Sequence, residues 1–195
     1  MRIDEVLFPQ TRARLLALCF LNPHRRFYLR EMIRRLGGGR GTVQREVENL
    51  TKVGLLIVER EGKRVYYRAN PDCVVFSAVQ ELLENTIGPT GRLRDALEPL
   101  RPGIAVAFIY GSVARDAATD ESDLDLMVIG RVTFEEVVRA IRPLEDEQPR
   151  EINPSVYGEE DFQTKLREKS PFLENVMEDA KKFVIGGPRE LEGLV

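Results

Sequence analysis

Histidine and cysteine are scarce in this chain of 195 residues, which contains one histidine, His24, and two cysteines, Cys19 and Cys73. A zinc site of the usual kind needs about four such ligands at close spacing, so none can be assembled from these three residues. A bound metal ion would therefore have to rely on oxygen ligands.

Long apolar runs are also absent. The chain contains no uncharged apolar stretch of about 18 residues, the length that a membrane-spanning helix needs. Residues 1–5 also lack the basic, apolar and small-residue order of a signal peptide. We expect a cytoplasmic protein with no membrane partner. The composition, 43% hydrophobic and 31% charged, is that of a folded globular protein and excludes disordered, collagen-like and disulfide-rich classes.

Charge is distributed unevenly along the chain. Residues 1–70 carry 15 Lys and Arg against 7 Asp and Glu, whereas residues 71–195 carry 14 against 25. A change of sign between halves often marks a half that binds nucleic acid, although basic surfaces also occur on proteins that do not. The first half is therefore a candidate binder of polyanions.

Three apolar stripes in the basic half have helical spacing. The first predicts a helix over residues 11–20, and the second predicts a helix over residues 29–36 that ends at three glycines. A third helix follows and ends at Gly54. Two β-prone runs, residues 55–60 and 64–68, then predict a basic hairpin. The third helix is expected to bury Val43, Val47, Leu50 and Val53.

The outward side of the third helix is polar, as a helix that enters the major groove of DNA requires. Arg45 and Gln44 carry donors for guanine and adenine edges, and Thr42 with the hairpin arginines suits phosphates. A solvated helix face is the alternative for any one of them. The candidate DNA contacts are Arg40, Thr42, Gln44, Arg45, Lys63 and Arg64.

This order of helix, helix, glycine turn, helix and basic hairpin resembles the winged helix-turn-helix domains of small ArsR-like repressors, over roughly residues 8–70. The resemblance implies a double-stranded DNA partner. Metal sensing is not carried over, because the two cysteines and His24 do not form the ligand cluster of those sensors. Apolar residues at near-helical spacing over residues 74–87 predict a further helix, which either forms a homodimer or only links two domains.

The acidic half contains a strand, a glycine turn and a second strand. The apolar run Ile104–Tyr110 ends in Gly111-Ser112, and after ten intervening residues Asp123 and Asp125 begin another apolar run. Side chains alternate on a strand, so both aspartates project from one face, about 7 Å apart. A divalent cation would relieve their repulsion, and Mg²⁺ or Mn²⁺ suits a few carboxylates with substrate phosphates. The candidate nucleotide contacts are Gly111, Ser112, Arg115 and Ser122.

The string GSVARDAATDESDLDL resembles the signature of the minimal polymerase-β-like nucleotidyltransferases, and the resemblance covers about residues 90–186. It implies a small mixed sheet flanked by helices, a nucleoside triphosphate as ligand or substrate, and transfer of a nucleoside monophosphate to a hydroxyl with two metal ions. Active members carry a third carboxylate on a neighbouring strand, where this chain aligns Asn153. Glu151 either substitutes as a catalytic residue or is a surface glutamate.

We therefore expect an α/β (α+β) protein with a winged helix-turn-helix domain at residues 1–72, a linking or dimerisation helix at 73–90 and a nucleotidyltransferase-like mixed sheet at 91–195. The leading hypothesis is a DNA-binding transcriptional regulator that binds a nucleotide with Mg²⁺. The alternatives are an active nucleotidyltransferase that modifies a protein or nucleic acid, and a non-catalytic, antitoxin-like module with a protein partner.

Overall fold

The computed structural model describes residues 3–115, 122–147 and 151–195. The chain divides into two compact units, Met1–Pro89 and Thr90–Val195. Helices and two sheets make it a mixed α/β protein, as the sequence predicts. No helix within the described ranges is both long enough and apolar enough to cross a membrane.

The first unit contains five helices and a small antiparallel sheet within the residues described. The glycine turn after the second predicted helix is confirmed, since Gly37 takes a left-handed conformation (φ 63°) that side chains disfavour. The elements of this unit are α1 (Ile3–Leu7), α2 (Gln10–Phe20), β1 (Phe27–Tyr28), α3 (Leu29–Leu36), α4 (Arg40–Lys52), β2 (Leu56–Glu61), β3 (Arg64–Ala69) and α5 (Phe76–Glu84). The sheet has the strand order β1-β3-β2.

One apolar core holds the first unit together. The buried stripes of α2, α3 and α4 meet the inner face of the hairpin, as helical spacing predicts. Val53 departs from its prediction and is 69% exposed, because α4 ends at Lys52 and Val53 follows as its cap. The fully or almost fully buried members include Leu15, Phe20, Phe27, Met32, Val43, Val47 and Leu56.

The second unit is a four-stranded mixed sheet with helices on both faces. After α6 (Pro89–Leu97), a 3₁₀ turn (Glu98–Gly103) leads into the sheet. The remaining elements are β4 (Ile104–Tyr110), β5 (Leu124–Gly130), α7 (Phe134–Glu147), β6 (Ile152–Tyr157), α8 (Glu159–Arg167), α9 (Pro171–Glu178), β7 (Lys182–Ile185) and α10 (Pro188–Glu192). The strand order is β6-β5-β4-β7; β5 and β6 are parallel and the other pairs are antiparallel.

Alternation along the central strands separates two cores. On one face, Leu126 and Val128 pack with Leu97 and Ile141 from the helices α6 and α7. On the other face, Met127 packs with buried residues that include Phe108, Phe162, Leu173 and Leu191, the last three from α8, α9 and α10. Odd-numbered residues of β5 therefore point toward the second face, which decides where Asp125 lies.

Strand β7 is an element of this unit that the sequence patterns do not predict. Its partner is β4, more than 70 positions earlier, and local periodicity does not report such pairing.

Candidate active site

The two aspartates of the signature lie at the start of β5. Asp123 immediately precedes the strand and is exposed, and Asp125 is its second residue and is half-buried. Leu124, between them, is 3% exposed and belongs to the core on the opposite face. Alternation therefore places both carboxylates toward the face that α8, α9 and α10 cover.

Asp125 has a neighbour on each side within the sheet. Tyr110 is its antiparallel partner on β4, and Asn153 is its parallel partner on β6. Burial raises the pKa of the Asp125 carboxyl above its ordinary value, the charge of Asp123 raises it further, and the charge of Arg115 opposes both. A cation bound beside Asp125 would therefore stabilise the charged form of its carboxyl group.

Gly111 begins the turn directly after β4 and takes a left-handed conformation (φ 75°). A Cβ atom added there would lie 2.6 Å from Asp125 Oδ2. The structure therefore requires glycine at this position to leave room for the Asp125 carboxylate. The turn continues with half-buried Ser112, and the Arg115 N–H donates to the Gly111 carbonyl at 3.2 Å. The rest of the predicted turn, residues 116–121, lies outside the described residues, and half-buried Ser122 leads from it to Asp123.

Asp179, just after α9, is a member of this site that sequence analysis did not identify. Its Oδ2 accepts the Gly111 N–H at 3.1 Å and an Arg115 Nη1 hydrogen bond at 2.5 Å. The guanidinium, above all, lowers the pKa of Asp179 below its ordinary value. Asp179 lies 64 positions from Arg115, and no local sequence signal connects them.

An aromatic side chain covers part of the same face. The Tyr110 hydroxyl lies 3.4 Å from Ser155 Oγ on β6, two residues beyond Asn153. Burial raises the pKa of the Tyr110 hydroxyl. The ring also meets Phe172 edge to face, with centroids 6.0 Å apart, and Phe172 is 41% exposed. Tyr110, the strand partner of Asp125, thus belongs to a partly exposed aromatic pair.

The strand β6 places two oxygen-bearing side chains near the aspartates. Asn153 is exposed and lies in register with Asp125, the position aligned to the third carboxylate. Glu151 precedes β6; its backbone carbonyl accepts the Leu124 N–H at 2.9 Å, and its side chain is exposed. The strand register therefore offers an amide at that position and a carboxylate two residues earlier.

The donor set fits a hard divalent cation. Asp123 and Asp125 supply carboxylate oxygens, and Asn153 adds an amide oxygen beside them; Mg²⁺ and Mn²⁺ prefer such ligands. Across the described ranges, no group of three or more His, Cys, Asp or Glu side chains lies close enough to hold a metal ion. A cation here would complete its coordination with water and substrate oxygens.

The residues singled out for DNA contact all lie at the surface of the first unit. Arg40, Thr42, Gln44 and Arg45 are exposed on the first half of α4, where Gln44 Nε2 donates to Glu48 Oε1 at 3.0 Å. Lys63 is exposed in the hairpin turn and Arg64 begins β3. The hydroxyls of Tyr66 and Tyr28 hydrogen bond to Arg64 and raise its pKa.

Comparison with known proteins locates a family match in the second unit. Residues 95–184 match the family described as "Polymerase beta, Nucleotidyltransferase". The chain is also 33% identical over 81 residues to a protein of Methanocaldococcus jannaschii (strain ATCC 43067 / DSM 2661 / JAL-1 / JCM 10045 / NBRC 100440) provisionally named a protein adenylyltransferase. That alignment covers 42% of this chain and 79% of the other protein.

Proposed function

Because the chain belongs to the polymerase-β-type nucleotidyltransferase family, we propose that Asp123 and Asp125 hold a divalent cation against a nucleoside triphosphate and that the chain transfers the nucleoside monophosphate to a hydroxyl. The observation that carries this proposal is the position of Gly111, whose missing side chain leaves room for the Asp125 carboxylate. The turn at Gly111 and the Asp125 carboxylate are therefore packed closely against each other.

The chain's own groups divide the work of binding. Asp123 and Asp125 would hold Mg²⁺ or Mn²⁺, which when bound neutralises phosphate charge and stabilises the entering and leaving oxygens. Ser112 offers a hydroxyl and an amide to the phosphates, and Arg115 offers charged donors. Ser122 borders the same site and is proposed as a further nucleotide contact.

The proposed reaction is a displacement at the α-phosphorus. An acceptor hydroxyl oxygen forms the new bond to phosphorus, the bond to the oxygen bridging the α- and β-phosphates breaks, and pyrophosphate leaves with that electron pair. The hydroxyl proton needs a base. Asn153 cannot serve, so we assign the proton to the Glu151 carboxylate, two residues earlier along the chain.

A protein hydroxyl is the acceptor that we favour, with an adenylyl group as the transferred unit. The provisional name of the Methanocaldococcus jannaschii relative supports this choice. The test is incubation of the chain with α-labelled ATP, Mg²⁺ and protein or nucleic-acid acceptors. We expect label on protein that is lost in the Asp123→Ala and Asp125→Ala variants. Labelling that persists in both variants would refute the assigned site.

We propose DNA binding as a second function, carried by the first unit. The supporting observation is a run of exposed donors on the first half of α4, beside a hairpin turn with exposed Lys63. A winged helix-turn-helix domain uses a helix and a hairpin in this order. Binding to double-stranded DNA should weaken steeply as salt rises, and an absent or salt-insensitive interaction would refute the proposal.

We further propose that the region around α5 forms a homodimer contact. Val74 and Val75, which precede α5, are 101% and 46% exposed. Two DNA-reading units would then lie about one helical turn apart on DNA. The expected result is a dimer by sedimentation that dissociates in the Val75→Glu variant; a monomeric wild type would contradict this assignment.

A further inference from the structure

Asp179 connects two positions of the turn that follows β4. A single carboxylate oxygen, Oδ2, accepts the backbone N–H of Gly111 at 3.1 Å and the Nη1 group of Arg115 at 2.5 Å. Gly111 is the residue that leaves room for Asp125, and Arg115 is the charged donor proposed for the phosphates. Asp179 therefore holds in place both the backbone of this turn, at Gly111, and the guanidinium of Arg115.

We propose that Asp179 is a positioning residue for nucleotide binding, which holds the Arg115 guanidinium beside the cation-binding carboxylates so that its remaining donors meet the triphosphate. This inference rests on the proposed function. A carboxylate that orients an arginine lowers the entropy lost when the arginine binds a second anion.

Asp179 is itself held firmly. Its Oδ1 accepts the N–H of Ala180 at 2.9 Å, and its own N–H donates to the Asn175 carbonyl at the end of α9. Its carbonyl accepts the Lys181 ammonium at 2.8 Å, and β7 begins three residues after Asp179. Both backbone and side chain are thus anchored, which suits a fixed support.

Arg115 is half exposed while it contacts Asp179. The guanidinium has five N–H groups; within the described residues one of them, on Nη1, donates to Asp179, and the side chain is 52% exposed. Gly111, whose N–H shares the Asp179 Oδ2 acceptor with Arg115, lies against the Asp125 carboxylate, so the guanidinium is held close to the proposed cation site. An anion bound beside Asp125 could therefore meet Arg115 without displacing Asp179.

The test measures affinity for a non-hydrolysable ATP analogue with Mn²⁺, by calorimetry, in the full chain and its variants. We expect Asp179→Ala to weaken binding roughly tenfold, the size of effect seen when a charge-assisted hydrogen bond is lost. Asp179→Asn keeps an acceptor for the Gly111 N–H and should recover part of the affinity. If the Asp179→Ala variant does not fold, Asp179→Asn provides the measurement in its place.

A double variant separates positioning from mere structural support. In an Arg115→Ala background, Asp179→Ala should cause a smaller further loss, because the contact with Arg115 is already absent and only the contact with the Gly111 N–H is removed. Equal losses in both backgrounds would overturn the proposal. Glu178→Ala, which removes a neighbouring exposed charge, is the matched control and should bind like the wild type.

Two other outcomes are informative. Tighter binding by Asp179→Ala would show that the carboxylate competes with the phosphates, and unchanged binding would show no role; either result overturns the positioning proposal. A wild-type chain that binds no nucleotide at all would instead refute the proposed function, since Asp179 and Arg115 are both intact there.

Discussion

Asn153 lies directly beside Asp125 in the parallel pairing of β5 with β6. An amide therefore occupies the position that the family resemblance assigns to a third carboxylate. An amide oxygen can ligate a metal ion, but it cannot take a proton from an attacking hydroxyl. This contact predicts slow transfer with nucleotide binding preserved.

Restoring the carboxylate should therefore increase the rate. We expect Asn153→Asp to raise the rate of labelled nucleotide transfer roughly tenfold, which is less than the roughly hundredfold effect of a general base added where none exists, because Glu151 already acts as a base two residues earlier. Asn153→Ala is the control, which should not accelerate transfer. A rate for Asn153→Asp equal to that of the wild type would show that a carboxylate beside Asp125 has no advantage over Glu151.

The Glu151 carboxylate is assigned as the base of the wild-type chain. Glu151→Gln keeps the size of the side chain and removes its basicity, so transfer should fall roughly a hundredfold, within the usual range for a general base. Binding of nucleotide with Mn²⁺ should not change. Undiminished transfer by Glu151→Gln would mark Glu151 as a surface glutamate.

Gly111→Ala tests the fit between the turn and β5. An alanine there would adopt a left-handed conformation at a cost of about 1–2 kcal/mol, and its Cβ would lie 2.6 Å from Asp125 Oδ2. We expect a lower free energy of unfolding, measured by urea denaturation, and lost metal binding. Gly158→Ala is the control, because a Cβ at Gly158 meets no atom within 4 Å. Unaltered Mn²⁺ affinity in Gly111→Ala would contradict the fit.

The residues proposed to contact DNA predict two distinct defects. Arg45→Ala should reduce discrimination between sequences by about 1–3 kcal/mol, as expected for a base contact. Lys63→Ala should weaken binding to all sequences alike and lower the salt dependence. Fluorescence anisotropy at several salt concentrations measures both effects, with Arg139→Ala in the second unit as the control. Identical behaviour of the two variants would refute the division of roles.

The two cysteines should differ in reactivity. Cys19 lies fully buried in the core of the first unit, where desolvation raises the pKa of its thiol to about 12, and Cys73 is only half-buried. The thiolate is the reactive form, so a neutral-pH alkylating reagent should label Cys73 and spare Cys19 until denaturant is added. Mass spectrometry of the labelled peptides distinguishes the sites, and rapid native labelling of Cys19 would contradict this core.

Helices and strands that leave a local sequence pattern were predicted correctly. The apolar stripes of α2, α3 and α4 and the apolar runs of β4 and β5 appear in the structure, and the glycine turn at Gly37 lies where it was predicted. Strand β7 and the contact between Arg115 and Asp179 did not emerge, because each depends on pairing between residues more than 60 positions apart. The sequence contains both residues of such a pair, but no local pattern shows that they pair.

The strand register of the sheet shows which residues lie beside Asp125. Alternation alone places Asp123 and Asp125 on one face, but it does not show which residues of β4 and β6 lie beside Asp125. Those neighbours are Tyr110 and Asn153. Gly111, which the sequence suggests as a nucleotide contact, also provides clearance for the Asp125 carboxylate.

Calorimetric titration of the chain with Mn²⁺ and a non-hydrolysable ATP analogue tests whether Asp123 and Asp125 form a metal-dependent nucleotide site. We expect binding by the wild type that requires both components and is lost in the Asp125→Asn variant, which preserves size but removes one charge. Equal heats from wild type and variant, or no heat beyond dilution from the wild type, would refute this site.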